Sequence, residues 1–98
     1  MAKKIDSSNL QEKLDALRGL DFEAAETKER SEGNNAVEMT FSKSFQARLA
    51  SRALNIPVED IKELPIKEYY SITAKVANFL FSGLATEDSQ SKSSEQSQ

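Results

Sequence analysis

The segment from Ile66 to Leu84, IKEYYSITAKVANFLFSGL, constrains the fold most, because it is too apolar for a helix on the outside of a small monomer. An outer helix usually has an apolar face a little over about 100° wide, opposite a broad polar face. At 3.6 residues per turn the proportions are reversed, and one narrow stripe carries the polar side chains Ser71, Lys75, Asn78 and Ser82. We therefore expect this helix to be covered from several sides, in part by another protein chain.

The composition allows one small domain and narrows the classes of function. The chain has 98 residues, 13 basic against 16 acidic, and a net charge of −3. A net negative charge disfavours sequence-independent nucleic-acid binding, because phosphates are attracted by an excess of basic residues. We also expect no membrane span, because Lys67, Glu68 and Lys75 interrupt the apolar segment.

Side chains that carry out catalysis are scarce. The sequence contains no Cys and no His, which excludes disulfides, thiolate zinc sites and imidazole acid–base catalysis. The three glycines are scattered, so there is no glycine-rich phosphate loop. Glu59 and Asp60 are adjacent and would diverge by about 100° on a helix. We expect no enzyme, no metal, no cofactor and no small-molecule substrate.

Apolar spacing predicts an all-α fold, a small bundle of three to four helices with a long central C-terminal helix. Gly19 is a predicted helix stop, Asn55 a predicted C-cap, and Pro57 and Pro65 separate the later helices. The predicted helices are Ser8–Arg18, Lys43–Leu54, Pro57–Leu64 and Ile66–Ser82.

Three other segments complete the predicted organisation. Residues 20–35 are a solvated helical extension or a mobile linker, and both interpretations stay open. Residues 36–42 alternate apolar and polar side chains, which indicates either a short extended segment or a lead into the next helix. Residues 1–6 are predicted to be a flexible arm and 7–85 the helical domain. The tail, residues 86–98, contains no apolar residue and is predicted to be disordered.

Leu49–Leu64 has the layout of a helix-turn-helix, so a small DNA-binding regulator is the alternative function. Its second helix would have to lie in the major groove. That helix carries Glu59, Asp60 and Glu63 against a single lysine. Carboxylates would be repelled by phosphates, so two helices joined by a tight turn is the favoured interpretation.

The run ALNIPVEDIKELPIKEYYSITAKVANFLFSGLA resembles the C-terminal half of tail assembly chaperones from long-tailed bacteriophages, in particular those of lactococcal siphophages. The resemblance covers about a third of the chain. Family members often begin with a β-rich segment, to which only Val37–Phe41 could correspond. The positions that match the family pattern are Leu54, Ile61, Leu64, Pro65, Glu68, Tyr69, Ile72, Val76, Phe79 and Leu80.

The resemblance implies a non-enzymatic role in virion assembly. Such chaperones coat the long, aggregation-prone tape measure protein in the host cytoplasm until tail-tube subunits replace them, and they are not part of the mature virion. A small protein with excess apolar helical surface suits the binding of a helix in a groove. A host-directed inhibitor or adaptor would share this composition and is a third class.

Two sets of residues are the candidate contacts. We expect a groove for the client where three helices converge, although the same side chains could instead form the domain core. It would be lined by Phe45, Leu49, Ile61, Tyr69, Ile72 and Val76. We expect self-association, as a homo-oligomer, through a second flank of the long helix, with contacts at Tyr70, Ala74, Ala77 and Phe81.

Overall fold

The computed structural model describes Ile5 and residues 7–91, with side chains described as far as Ser82. This part of the chain is helical and contains no strand, which confirms the predicted all-α fold. The elements are α1 (Leu10–Asp15), α2 (Gly19–Ser31), a 3-10 helix (Met39–Phe41), α3 (Lys43–Leu54), α4 (Val58–Lys62) and α5 (Ile66–Ser91).

Helix α3 lies at the centre of the bundle. It packs against α1, α2, α4, α5 and the 3-10 helix, and every residue from Phe45 to Ser51 is buried. The C-terminal helix is long, as predicted, and packs mainly against α3, with further packing against α1 and the 3-10 helix. Small side chains such as Ala47 and Ala50 let neighbouring helices approach α3 closely, so α3 takes the central place.

The predicted helix Ser8–Arg18 is shorter in the structure. It begins at Leu10 and ends at Asp15, and Gly19 is the first residue of α2 instead of the stop of α1. A second helix begins there because the Asp21 carboxylate accepts a hydrogen bond from the backbone N–H of Arg18, at 2.8 Å.

Residues 20–35, left open by the sequence, form most of α2 and the loop after it. The helix is rich in good helix formers and carries two i,i+4 ion pairs on its solvent side, Glu26–Arg30 and Lys28–Glu32. Only α3 packs extensively against it. The helical interpretation is therefore correct and the linker interpretation is wrong.

The extended segment predicted near 36–42 does not form a strand. Glu38 and Ser42, which flank the 3-10 helix, have extended backbone angles, but the residues between them form a helical turn. No partner strand exists within the described residues, so the backbone turns and Ser42 caps α3 by accepting a hydrogen bond from the Phe45 N–H, at 3.2 Å. The alternating pattern is not a sheet face either, since Met39 is buried while Val37 is 99% exposed.

The turns between α3, α4 and α5 occur at the residues predicted to end and begin these helices. Asn55 caps α3 in the left-handed conformation, with φ of 60°. Pro57 lies just before α4 instead of inside it, and α4 spans Val58–Lys62, shorter than the predicted Pro57–Leu64. The carbonyl of Pro65 accepts the first backbone hydrogen bond of α5, from Tyr69.

Helix α5 continues to Ser91, beyond the end predicted at Gly83. One glycine inside a helix costs only about 1 kcal/mol relative to alanine, so it need not end the helix. Residues 86–91 of the predicted tail belong to α5, and residues 92–98 lie outside the described residues. Of the predicted arm, 1–6, the structure describes only Ile5. Among the described residues, none of the helices is both long and apolar enough to cross a bilayer.

Candidate protein-binding surface

The residues predicted to line a client groove lie in the domain core. Tyr69 is half-buried, and its hydroxyl donates a hydrogen bond to the Lys43 carbonyl at 3.4 Å. The other five are buried against one another and against α1: Phe45, Leu49, Ile61, Ile72 and Val76. In the structure these residues form the domain core, which is one of the two interpretations that the sequence left open. A client could reach these side chains only if the helices separated.

A second apolar stripe of α5 faces outward, next to the face that packs on the core. At 3.6 residues per turn its five members fall within about 80° around the helix axis. We call it the outer stripe: Ile66, Tyr70, Ala74, Ala77 and Phe81. Ile66 is 85% exposed and Tyr70 is 58% exposed, while the other three are partly buried. It contains all four residues predicted for self-association.

Two side chains from outside α5 extend the outer stripe. The ring of Phe41, which is 68% exposed, contacts Phe81 with ring centroids 5.1 Å apart and planes inclined by 39°. The Lys43 Nζ lies 4.8 Å from the centroid of the Tyr70 ring, in a cation–π contact. Sequence reasoning missed Phe41 because it belonged to the alternating segment. Its place in the sequence, immediately before the Ser42 cap of α3, could have indicated that its ring lies near the beginning of that helix.

This arrangement has the features of a protein-binding surface. Exposed aromatic side chains in a row are uncommon on monomers, and aromatic residues are enriched where proteins bind one another. The rings of Phe41 and Tyr70 are held by neighbours but leave much of their area to solvent, while the Phe81 ring is partly buried. Binding would therefore bury apolar area at little cost in side-chain entropy.

A different part of the surface, between α2 and the α3–α4 turn, holds a polar depression of about 530 Å3. Its cations already face carboxylates. Arg48 contacts Glu29 and Glu32, each at 2.6 Å, and Arg52 contacts Asp21 at 2.8 Å. The depression therefore offers paired charges and is a poor site for an anionic ligand.

The Arg48–Glu29 pair is buried, and it ties α2 to α3. Burial would raise the pKa of Glu29, but hydrogen bonds from Asn34, Arg48 and Ser44 outweigh burial and hold the pKa below its ordinary value. Burial also raises the pKa of the Tyr69 hydroxyl, with a smaller contribution from the charge of Glu29. Because each group has a structural partner, we assign this cluster to stability.

The segment predicted as a helix-turn-helix does not present a basic reading helix. Its second helix, α4, is only five residues long and carries Glu59 and Asp60 in its first turn. Arg48 and Arg52, on the first helix, are in ion pairs with carboxylates of α2. The arginines of the first helix are therefore occupied, and the first turn of the second helix presents carboxylates, where contacts to phosphates and base edges need cations.

Within the described residues, no group of three or more carboxylates is placed to hold a metal ion. No protein family model, no curated protein and no solved structure matches the chain. The fold and the outer stripe define the class: a small all-α protein with an exposed aromatic surface beside a closed core.

Proposed function

We propose that this chain is a non-enzymatic assembly chaperone that binds an apolar helix of a larger client on the outer stripe. The observation that carries the proposal is the aromatic row of the outer stripe, in which Tyr70 and Phe41 are exposed and Phe41 contacts the partly buried ring of Phe81. Such a surface can take up the apolar face of an amphipathic helix without opening the core.

The sequence resemblance supports a particular client. Tail assembly chaperones of long-tailed bacteriophages bind the tape measure protein, so we propose that protein as the partner. The site of action would then be the host cytoplasm, with no chaperone in the mature virion. A long client with repeated apolar helical faces would bind many copies, and weak single contacts would gain strength through multivalency.

The client would bind to a folded domain and not to an opened core. Five of the six residues first expected to meet the client are buried, so exposing them would cost most of the stability of a small domain. The outer stripe needs no such opening. Binding can therefore be weak and reversible, as the replacement of a chaperone by tail-tube subunits requires.

Co-expression with a tape measure fragment tests this function. We expect the wild-type chain to keep the fragment soluble and to co-purify with it, because its outer stripe covers an apolar face of the fragment. Tyr70→Glu places a charge in that contact and should reduce co-purification at least about tenfold, a loss of about 1.4 kcal/mol in binding.

The matched control is Ser71→Glu, at the next position of α5 but on its exposed polar side. It adds the same charge and should leave co-purification unchanged. If the wild-type chain does not improve the solubility of the fragment, the proposed function is wrong. Equal loss in both variants would show that the contact is not made by the outer stripe.

We further propose that the outer stripe pairs with a second copy of the chain before the client arrives. Its side chains run bulky, small, small, bulky in the order Tyr70, Ala74, Ala77 and Phe81, with the same spacing in both directions. A two-fold axis between the alanines would place Tyr70 against Phe81 of the partner subunit, in an antiparallel helix pair. The client would then displace the second copy.

Sedimentation equilibrium tests this pairing. We expect the wild-type chain to self-associate with a dissociation constant that Phe81→Glu raises about tenfold or more, because a carboxylate would be buried against an aromatic ring. Ser82→Glu, on the exposed polar side of α5, should leave the dissociation constant unchanged. A wild-type monomer at millimolar concentration would contradict the pairing without affecting the client proposal.

A further inference from the structure

Three lysines lie at the helix ends that come together near Ile66. Lys43 begins α3, Lys62 ends α4 and Lys67 follows Ile66 in α5, and all three side chains are exposed. We call these three residues the lysine corner. They come from three different helices, so the fold and not the local sequence brings them to one place.

Contacts within the corner hold these helix ends together. The Lys62 Nζ donates a hydrogen bond to the Ser44 Oγ at 2.8 Å, which ties the end of α4 to the beginning of α3. The Tyr69 hydroxyl donates to the Lys43 carbonyl, which ties α5 to the same place. The Lys43 ammonium lies over the Tyr70 ring of the outer stripe. The corner and the stripe are therefore one continuous surface.

The corner also contains a depression of about 310 Å3, lined by Lys62, Leu64, Ile66 and Tyr69. Three of these residues present apolar or aromatic atoms and one presents an ammonium group. A concave apolar site beside a charge is the kind of place where one anchoring side chain of a partner binds.

The two carboxylates next to these lysines in sequence, Glu63 and Glu68, do not line the depression. Glu68 lies about 160° around α5 from Tyr70, so it faces away from the outer stripe. Glu63 follows Lys62 in sequence, but it is not part of the lining of the depression. Lys62 is the only charged residue that lines the depression, although the chain as a whole has a net charge of −3.

We propose that the lysine corner selects an acidic client helix: one that places an apolar side chain in the depression and carboxylates near Lys43, Lys62 and Lys67. This inference rests on the proposed function, since it takes the outer stripe as the client surface. The corner lies at one end of the stripe, so it also sets the direction in which the client helix binds. Charge pairs at the rim of an interface act mainly on specificity and on association rate.

Two synthetic amphipathic peptides test the selectivity. They share the same leucine and alanine face and differ only in polar residues, which are glutamates in one peptide and lysines in the other. We expect the wild-type chain to bind the glutamate peptide about tenfold more tightly at low salt, against its own net negative charge. About 0.5 M salt should reduce this preference, because it screens exposed charges.

A charge reversal with a matched control assigns the preference to the corner. Lys43→Glu with Lys62→Glu should remove or reverse it. Lys13→Glu with Lys75→Glu makes the same change in net charge at exposed lysines away from the corner and should keep it. Far-UV circular dichroism of both double variants verifies that the fold is retained.

The remaining outcomes separate the inference from the proposed function. Equal binding of both peptides, lost in Tyr70→Glu, would overturn the corner's role and leave the outer stripe as the client site. No binding of either peptide would overturn both proposals. Binding of a labelled 20-nucleotide oligothymidine that is lost on lysine reversal would assign the corner to single-stranded nucleic acid instead, and would overturn the inference.

Discussion

Replacing Phe45 by alanine is expected to destabilise the domain severely, whereas the same change at Phe41 should leave the fold intact and weaken client binding. Phe45 is 0% exposed, and its ring packs edge-on against Phe22 with centroids 5.0 Å apart. Removing a buried phenylalanine side chain costs about 3–5 kcal/mol, which is a large share of the stability of a small domain.

Urea denaturation followed by circular dichroism measures the difference between the two variants. Phe41→Ala removes the same atoms from a mostly exposed site, so its free energy of unfolding should change by less than about 1 kcal/mol. Its co-purification with the tape measure fragment should fall. The opposite pattern, a stable Phe45→Ala that has lost only client binding, would show that Phe45 lies in an accessible groove after all.

The second large effect is expected for Arg48→Met, which removes the buried partner of Glu29. Glu29 is 2% exposed as a residue, and its carboxylate would retain only uncharged hydrogen-bond partners, Asn34 and Ser44. Breaking a buried pair from one side typically costs about 3–5 kcal/mol, because the remaining charge is left without its counterion. The free energy of unfolding, measured in urea at pH 7, should fall by an amount of that order.

The exposed pair between the same two helices is the matched control. Arg52→Met removes the contact to Asp21, which lies at the surface, so water and salt replace the lost interaction. Its effect on the unfolding midpoint should be much smaller than that of Arg48→Met. Equal effects of the two variants would contradict a larger contribution of the buried pair to stability.

The same pair gives the protein a defined response to acid. The folded pKa of Glu29 is lower than its ordinary value, so its contribution to stability is fully present above that value and is lost as pH falls through the folded pKa. Below about pH 4.5 we expect the wild-type chain to lose stability more steeply than Glu29→Gln, which cannot ionise. Parallel pH profiles of the two proteins would show that Glu29 does not contribute.

The local sequence predicted several elements correctly because their signals are short-range. Asn55 caps α3 because asparagine tolerates the left-handed conformation, and Pro65 precedes α5 because proline suits the start of a helix. The grouping of Tyr70, Ala74, Ala77 and Phe81 on one flank followed from helical periodicity, since residues three and four positions apart lie on one side of any α-helix.

Other features could not be predicted, because they depend on residues far apart in the chain. The buried contact that holds α2 joins Glu29 to Arg48, and the apolar periodicity of α2 itself is too weak to show which side it buries. The alternating sequence pattern around Phe41 is typical of a strand. The described residues contain no partner strand, and the Phe41 ring packs against Phe81 instead.

By itself, the sequence determined the helical class, the helix boundaries marked by Asn55 and the prolines, and the existence of two apolar faces on α5. These follow from backbone conformation and local spacing. Only the tertiary structure decided that Phe45 and its neighbours form a closed core and that the other face stays open. It also brings together the helix ends that carry Lys43, Lys62 and Lys67. Periodicity reveals that two faces are apolar, but which of them is covered depends on how the remaining helices pack around α3.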